Sequence, residues 1–297
     1  MKRFRRLLVG LNLTDQDNAV IQAAGKITHL SQSEKVYFIY IAERSDVPEK
    51  ISEKYPDLLG TSEKDAGEIM REKVDSYYKG APVTNIAYEV VEGKQVDMML
   101  QHISKKDIDL VVIGRKRWEK VSGHIAEHLA RKSPCSVLII PEGSDMILKN
   151  ILVGTDFSPH SKEAMDTAIA FASSTGMTKI VCLHIIGYRS PDKHFDGFLE
   201  LLEKVAREDL DKFLSQFNFQ GINIISVIKA EHNIAGAIRD FLWEHKIDLI
   251  VVGARGRSAA VLLGSVTENL MRITNIPLLA VKRKGENMNL LKALFKS

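Results

Sequence analysis

The chain alternates short apolar runs with longer stretches in which apolar residues return every third or fourth position. Runs such as Leu7-Leu8-Val9 and Leu249-Ile250-Val251-Val252 are nearly continuous, the pattern of strands buried on both faces. Phe198, Leu202, Ala206, Leu210, Phe213 and Phe217 recur instead at helical spacing. In the second half the pattern predicts strands over 150–155, 179–186, 222–229, 249–253 and 277–281. Helices are expected from Ser158-Pro159 to Gly176, then over 198–217, 233–245 and 264–274. Serine as N-cap, proline in the first turn and glycine at the end mark the first of these. In the first half strands are expected over 5–11, 35–42, 85–91, 110–114 and 136–141.

The two halves repeat one another. Leu7-Leu8-Val9-Gly10 returns as Ile151-Leu152-Val153-Gly154, an offset of 144, and Asp109–Gly114 returns as Asp248–Gly253, an offset of 139. Val137-Leu138-Ile139-Ile140 returns as Leu278-Leu279-Ala280-Val281, an offset of 141. Matches at nearly constant offset indicate two copies of one unit. The expected fold class is α/β, with two repeated doubly wound domains over 1–143 and 148–284 and a tail over 285–297. Each domain is expected to hold a five-stranded parallel sheet of order 3-2-1-4-5 with helices on both faces. Strand five of each half would lie at a sheet edge, so pairing within the chain would make a pseudo-dimer.

In such a sheet ligands bind beyond the carboxyl ends of strands one and four, where the order reverses. Strand one of the second half ends in Gly154-Thr155-Asp156. Strand four ends in Gly253 and runs through Ala254-Arg255-Gly256-Arg257 to Gly264-Ser265-Val266, where a helix begins. Glycines allow close backbone approach, and a helix N-terminus presents N–H groups and positive potential, which together suit a phosphate.

Composition narrows the class. A net charge of +3 from 41 basic and 38 acidic residues, with no basic stripe interleaved with aromatics, argues against nucleic acid as a partner. No apolar run has the length of a membrane span, and the run after Arg5-Arg6 breaks at Asn12 and Asp15, too early for a secretion signal. Cys135 and Cys182 are far apart and sit in or beside apolar runs, as packing residues in a reduced compartment. A cytoplasmic protein is expected.

The segments Ile151–Ser158, Leu183-His184-Ile185-Ile186, Asp248–Ser258, Gly264-Ser265-Val266 and Ile276–Val281 resemble the universal stress protein family in tandem form, over nearly all of residues 5–283. Nucleotide-binding members carry G-x2-G-x9-G-[S/T] after strand four; Gly253, Gly256, Gly264 and Ser265 match its glycines and hydroxyl, with the second gap two residues shorter. The resemblance implies ATP, ADP or AMP as ligand, with magnesium as a candidate companion ion. It implies that Thr155 and Asp156 meet the adenosine part and that Ile185 packs on adenine. Gly253 and Gly256 would line the ribose and phosphate path, and Gly264, Ser265 and Val266 would hold phosphate oxygens. Arg255 and Arg257 would add charge-assisted contacts or form a solvated loop face.

The first copy departs from this pattern: Asn12 stands for Asp156, Arg117 for Gly256 and His124 for Ser265, so it is expected to be scaffold rather than a nucleotide site. His124-Ile125-Ala126-Glu127-His128 has the spacing of an inverted zinc-protease motif, but its repeat counterpart has no such chemistry and no metal is assigned. His184 reads as a core histidine, His232 as a loop residue near the adenine side, and 287–295 as an amphipathic tail helix docked on its own chain. No nucleophile–base pair or P-loop lysine is present, so no catalytic residue is assigned. The function expected is a stress-response protein regulated by an adenine nucleotide in its second half. The alternatives are a nucleotide-free scaffold, pairing within the chain or as a homodimer with a protein client, and a slow ATPase.

Overall fold

The computed structural model describes residues 3–42, 63–116, 123–177, 179–188, 197–256 and 262–284. The first half runs β1 (Arg6–Leu11), α1 (Asp17–Ser31), β2 (Lys35–Ala42), α2 (Glu63–Tyr77), β3 (Asn85–Glu92), α3 (Gln95–Lys105), β4 (Leu110–Arg115), α4 (Gly123–Lys132) and β5 (Ser136–Pro141). The second runs β6 (Ile151–Gly154), α5 (Pro159–Thr175), β7 (Lys179–Gly187), α6 (Phe198–Leu214), β8 (Asn223–Glu231), α7 (Ile234–Glu244), β9 (Leu249–Gly253), α8 (Ser265–Ile273) and β10 (Leu278–Val281). The tail over 285–297, with its expected helix, lies outside the described residues.

Local chemistry accounts for the boundaries. Ser158 caps α5 by accepting the Ser161 N–H, Pro159 opens the helix, and Gly176 closes it at φ 72°, a left-handed conformation that glycine adopts without strain. The helix expected to reach Phe217 ends at Leu214 instead. Phe217 turns back, its N–H bonding the Leu214 carbonyl, and its ring packs on Phe213 and Phe219 at 5.0 and 5.9 Å. Tertiary packing here takes an apolar residue that helical spacing alone would assign to the helix.

All strands lie in one sheet of order β3-β2-β1-β4-β5-β10-β9-β6-β7-β8. Each half has the expected order 3-2-1-4-5 and is parallel throughout. The halves join at the centre, where β5 and β10 pair antiparallel with Leu279 opposite Leu138. The two strands that would have been edges are therefore interior, and β3 and β8 carry the outer edges.

Successive strand residues feed opposite faces. Val9, Val112, Val153 and Val251 belong to one apolar layer, under α1, α2, α5 and α6. Leu8, Val111, Leu152 and Ile250 belong to the other, under α3, α4, α7 and α8. Both layers run through both halves. Across the join α4 packs on α8, and Arg272 of α8 pairs with the buried Glu127 of α4 while Arg131 of α4 pairs with Glu268 of α8 at 2.9 Å.

Candidate functional site

In the second half β6 lies between β7 and β9, so the chain leaves the ends of β6 and β9 in different directions and opens a crevice between them. A cavity of about 210 Å³ occupies it. Thr155, Asp156, Ile185, Gly253, Arg255, Gly256, Gly264, Ser265 and Val266, nine residues singled out from sequence, all line it. Arg257 lies outside the described residues.

The floor is apolar. Ile185 reaches it from β7, and Ile234 and Ile238 reach it from α7. These two isoleucines were not anticipated. The signal for them was Asn233, whose side chain accepts the Gly236 N–H at 3.0 Å and starts α7, putting the i and i+4 residues on one face. Gly187 leaves room for the first of them, since a Cβ there would stand 2.8 Å from Ile234 Cδ1.

The wall after β6 is a hydrogen-bonded turn. Thr155 donates its N–H to the Leu183 carbonyl at 3.0 Å, and its own carbonyl accepts from His184 Nδ1 at 2.8 Å. His184 thus serves the strand end, with its ring 4.3 Å from that of Phe157. Asp156 Oδ1 accepts from Ser161 Oγ at 2.6 Å and from the Ser158 N–H at 3.1 Å, which fixes the carboxylate at the mouth of the crevice. Ser161 also lines the cavity and was missed, because a first-turn serine of a helix gives no distinctive signal in sequence.

The opposite wall is the glycine loop. Gly253 lies against α5: a Cβ there would be 2.7 Å from His160 Cβ and 2.8 Å from the His160 carbonyl carbon. The loop is pinned at both ends, Ala254 donating to the Val281 carbonyl and accepting from the Gly264 N–H at 2.8 Å. Thr267 Oγ1 donates to the Gly253 carbonyl at 2.9 Å, tying the first turn of α8 to the end of β9. Gly256 faces Asp156, where a Cβ would come 2.7 Å from Oδ2. Gly264 is different: its φ is −69°, and a Cβ would meet only ordinary contacts, the nearest being the Gly256 nitrogen at 3.5 Å. The fold does not require glycine at 264, but a side chain there would cover the loop backbone beside the α8 N-terminus. Gly264 caps α8 without a side-chain bond, and Ser265 is exposed at its first position. The first-turn N–H groups of a helix have no intrahelical acceptor, and the helix dipole adds positive potential.

The first half builds the equivalent turn with its acid moved. Asn12 occupies the place of Asp156, and Asp17, at the place of Ser161, accepts from the Asn12 and Thr14 N–H groups at 3.1 Å. Asp17 is buried, and that burial raises its pKa against the lowering effect of the N–H bonds. The Gln16 side chain packs on Gly114, where a Cβ would lie 2.9 Å from Nε2. Arg117 lies outside the described residues, as does the side chain of His124. In the metal-like motif Glu127 is engaged by Arg272 and His128 is exposed.

The remaining candidates sit elsewhere. His232 Nδ1 donates to the Tyr188 carbonyl at 2.8 Å, away from the cavity lining. Cys135 and Cys182 are buried, and loss of solvation pushes each thiol up to about 12, out of the range of a nucleophile. No helix among the described residues is long and apolar enough to cross a membrane.

The sequence profile of the Universal stress protein family matches residues 3–141 and again 148–282. Universal stress protein MJ0577 of Methanocaldococcus jannaschii is 28% identical over 161 residues, which cover 47% of this chain and 98% of the relative. Universal stress protein MJ0531 of the same organism is 29% identical over 153 residues, covering 49% and 88%. Among solved structures, a universal stress protein from Archaeoglobus fulgidus covers 95% of this chain and 97% of its own, with 17% identity and a TM-score of 0.61. Another from Pseudomonas aeruginosa covers 99% and 98%, with 17% identity and a TM-score of 0.61, a likeness of fold. The chain belongs to the universal stress protein family and carries two copies of its domain in tandem.

Proposed function

We propose that the second half binds an adenine nucleotide, ATP or a shorter relative, and that occupancy regulates the protein rather than feeding a reaction. One observation carries the reading: an apolar floor, a fixed carboxylate and a helix N-terminus open onto one crevice at the switch point. Ile185, Ile234 and Ile238 suit a flat heterocycle. Asp156 Oδ2, on the Gly256 side, suits the hydroxyls of a ribose. Gly264, Ser265 and Val266 offer backbone N–H groups at the start of α8 to phosphate oxygens. Gly264 supports this assignment most directly, because its missing side chain leaves open a cradle that the fold itself would let a methyl group fill.

Titration of the purified protein with ATP by calorimetry is the test, with Gly256→Val beside it. The valine side chain would press on Asp156 and lie across the crevice, so binding should fall at least about tenfold, on the order of one misplaced group in a tight site. Equal, weak binding by both proteins would sink the assignment. The scaffold reading separates on a second measurement: mass spectrometry of gently purified protein should find adenine nucleotide bound.

A further inference from the structure

Two buried cations cross the join between the halves in opposite directions. Arg115, at the end of β4 in the first half, is 6% exposed and donates from Nη1 to the Arg272 carbonyl at 3.3 Å and from Nη2 to the Thr274 carbonyl. Arg272 lies in the last turn of α8, in the second half, and Thr274 is the residue that caps its carboxyl end. Lys282, just after β10 in the second half, is 3% exposed and donates from Nζ to the carbonyls of Arg131, in the last turn of α4 in the first half, and of Ser133, just past its end. The acceptors correspond by the repeat offset of 141. Each half therefore caps the final helix of the other with a cation, where the helix dipole favours positive charge.

The two caps are not equal in consequence. α4 ends in the half whose crevice is altered, whereas the other end of α8 forms the rim of the cavity. α8 has nine residues, a rigid rod of about 14 Å. Its far end is held by Arg115 and by the Glu127–Arg272 pair, both reaching from the first half, while Arg131 of the first half pairs with Glu268 in its first turn. As a stability device Arg115 is poor: its guanidinium is desolvated, and its Nε has no acceptor among the described residues. Its two bonds serve to hold α8.

We infer that Arg115 is a positioning residue for the cavity in the other half: by anchoring the carboxyl end of α8 it sets the N-terminal turn that receives phosphate, so the first half tunes affinity in the second. This rests on the nucleotide reading above. The effect acts on phosphate and not on the base or ribose, because Ile185, Ile234 and Asp156 belong to other elements.

The test is calorimetric titration of the whole protein with ATP and, separately, with adenosine. Arg115→Met should weaken ATP about fivefold or more, the low end of coupling between sites, and leave adenosine unchanged. Arg115→Lys should restore ATP binding, since Lys282 already shows that one ammonium can serve two helix-end carbonyls. Lys282→Met, which removes the opposite cap, should leave both ligands unchanged. Glu127→Gln loosens the same end of α8 and decides the matter if Arg115→Met does not fold. In the ligand-free protein, hydrogen exchange of the α8 amides should quicken in Arg115→Met and not in Lys282→Met. A wild type that binds neither ligand overturns the nucleotide reading and this inference with it. A wild type that binds both, with ATP affinity unmoved in Arg115→Met and Glu127→Gln, overturns the inference alone.

Discussion

Gly253 and Gly264 lack a side chain for different physical reasons, and the difference can be measured. A methyl group at 253 would drive into the backbone of α5 at 2.8 Å, so Gly253→Ala should destabilise the protein by about 1–3 kcal/mol in urea unfolding. At 264 the nearest atom is 3.5 Å away and φ is ordinary, so Gly264→Ala should leave stability within about 0.5 kcal/mol of wild type. The same substitution should weaken ATP binding, because the methyl group sits where phosphate would approach the loop. A stability loss at 264 equal to that at 253 would show that the glycine serves the fold. The two glycines were legible in sequence as a pair; which of them the fold requires depended on what lies across from each.

At the scale of the element, the turn after the first strand of each half shows how one frame carries two chemistries. In the second half the carboxylate of Asp156 stands at the crevice, held by Ser161. In the first half the carboxylate has moved to Asp17, at the start of α1, and turned inward to bind the turn's own N–H groups. Burial raises the pKa of Asp17 above its ordinary 3.8, so the charged form is disfavoured on folding. The sign follows: its stabilising contribution is present below pH 3.8 and is lost as pH rises through the raised folded value. Asp17→Asn should therefore gain stability relative to wild type as pH rises from about 3.5 toward 7, levelling off above the folded pKa. Urea midpoints across that range check it, and a difference that shrinks with rising pH would contradict it. The replacement of Asp156 by Asn12 was readable as a loss, whereas the transfer of the acid to position 17 was not. A lone aspartate near a helix start is common, and only the hydrogen bonds distinguish its role.

For the whole molecule, the antiparallel pairing of β5 with β10 turns two repeats into one sheet with apolar layers running through both. The halves share the β5–β10 ladder, the α4–α8 ion pairs and two exchanged helix caps. Unfolding should therefore be cooperative across the join. Hydrogen exchange of β1 and β6 followed through a urea series should lose protection at one common midpoint; two well-separated midpoints would show that the halves are independent. The strand order within each half followed from the alternation of apolar runs and helical periods, as did the expectation that the fifth strands need partners. The antiparallel sense of their pairing and the crossing cations did not, because Arg115 and Lys282 read in sequence as ordinary charged residues at strand ends.

The sequence by itself determined the repeat, the α/β order of each half, and the elements whose ends meet at the switch point, because apolar periodicity and turn residues act over a few positions. It also marked nine of the residues that line the cavity, through the resemblance to the family and the meeting of two strand ends at the switch point rather than through the glycines alone. Tertiary structure alone decided the rest. Ile234 and Ile238 became the floor only when α7 crossed the end of β7, and Arg115 became a cap for α8 only when β5 met β10. Those roles depend on residues more than forty positions apart in the chain being brought into contact, and no local pattern records such a meeting.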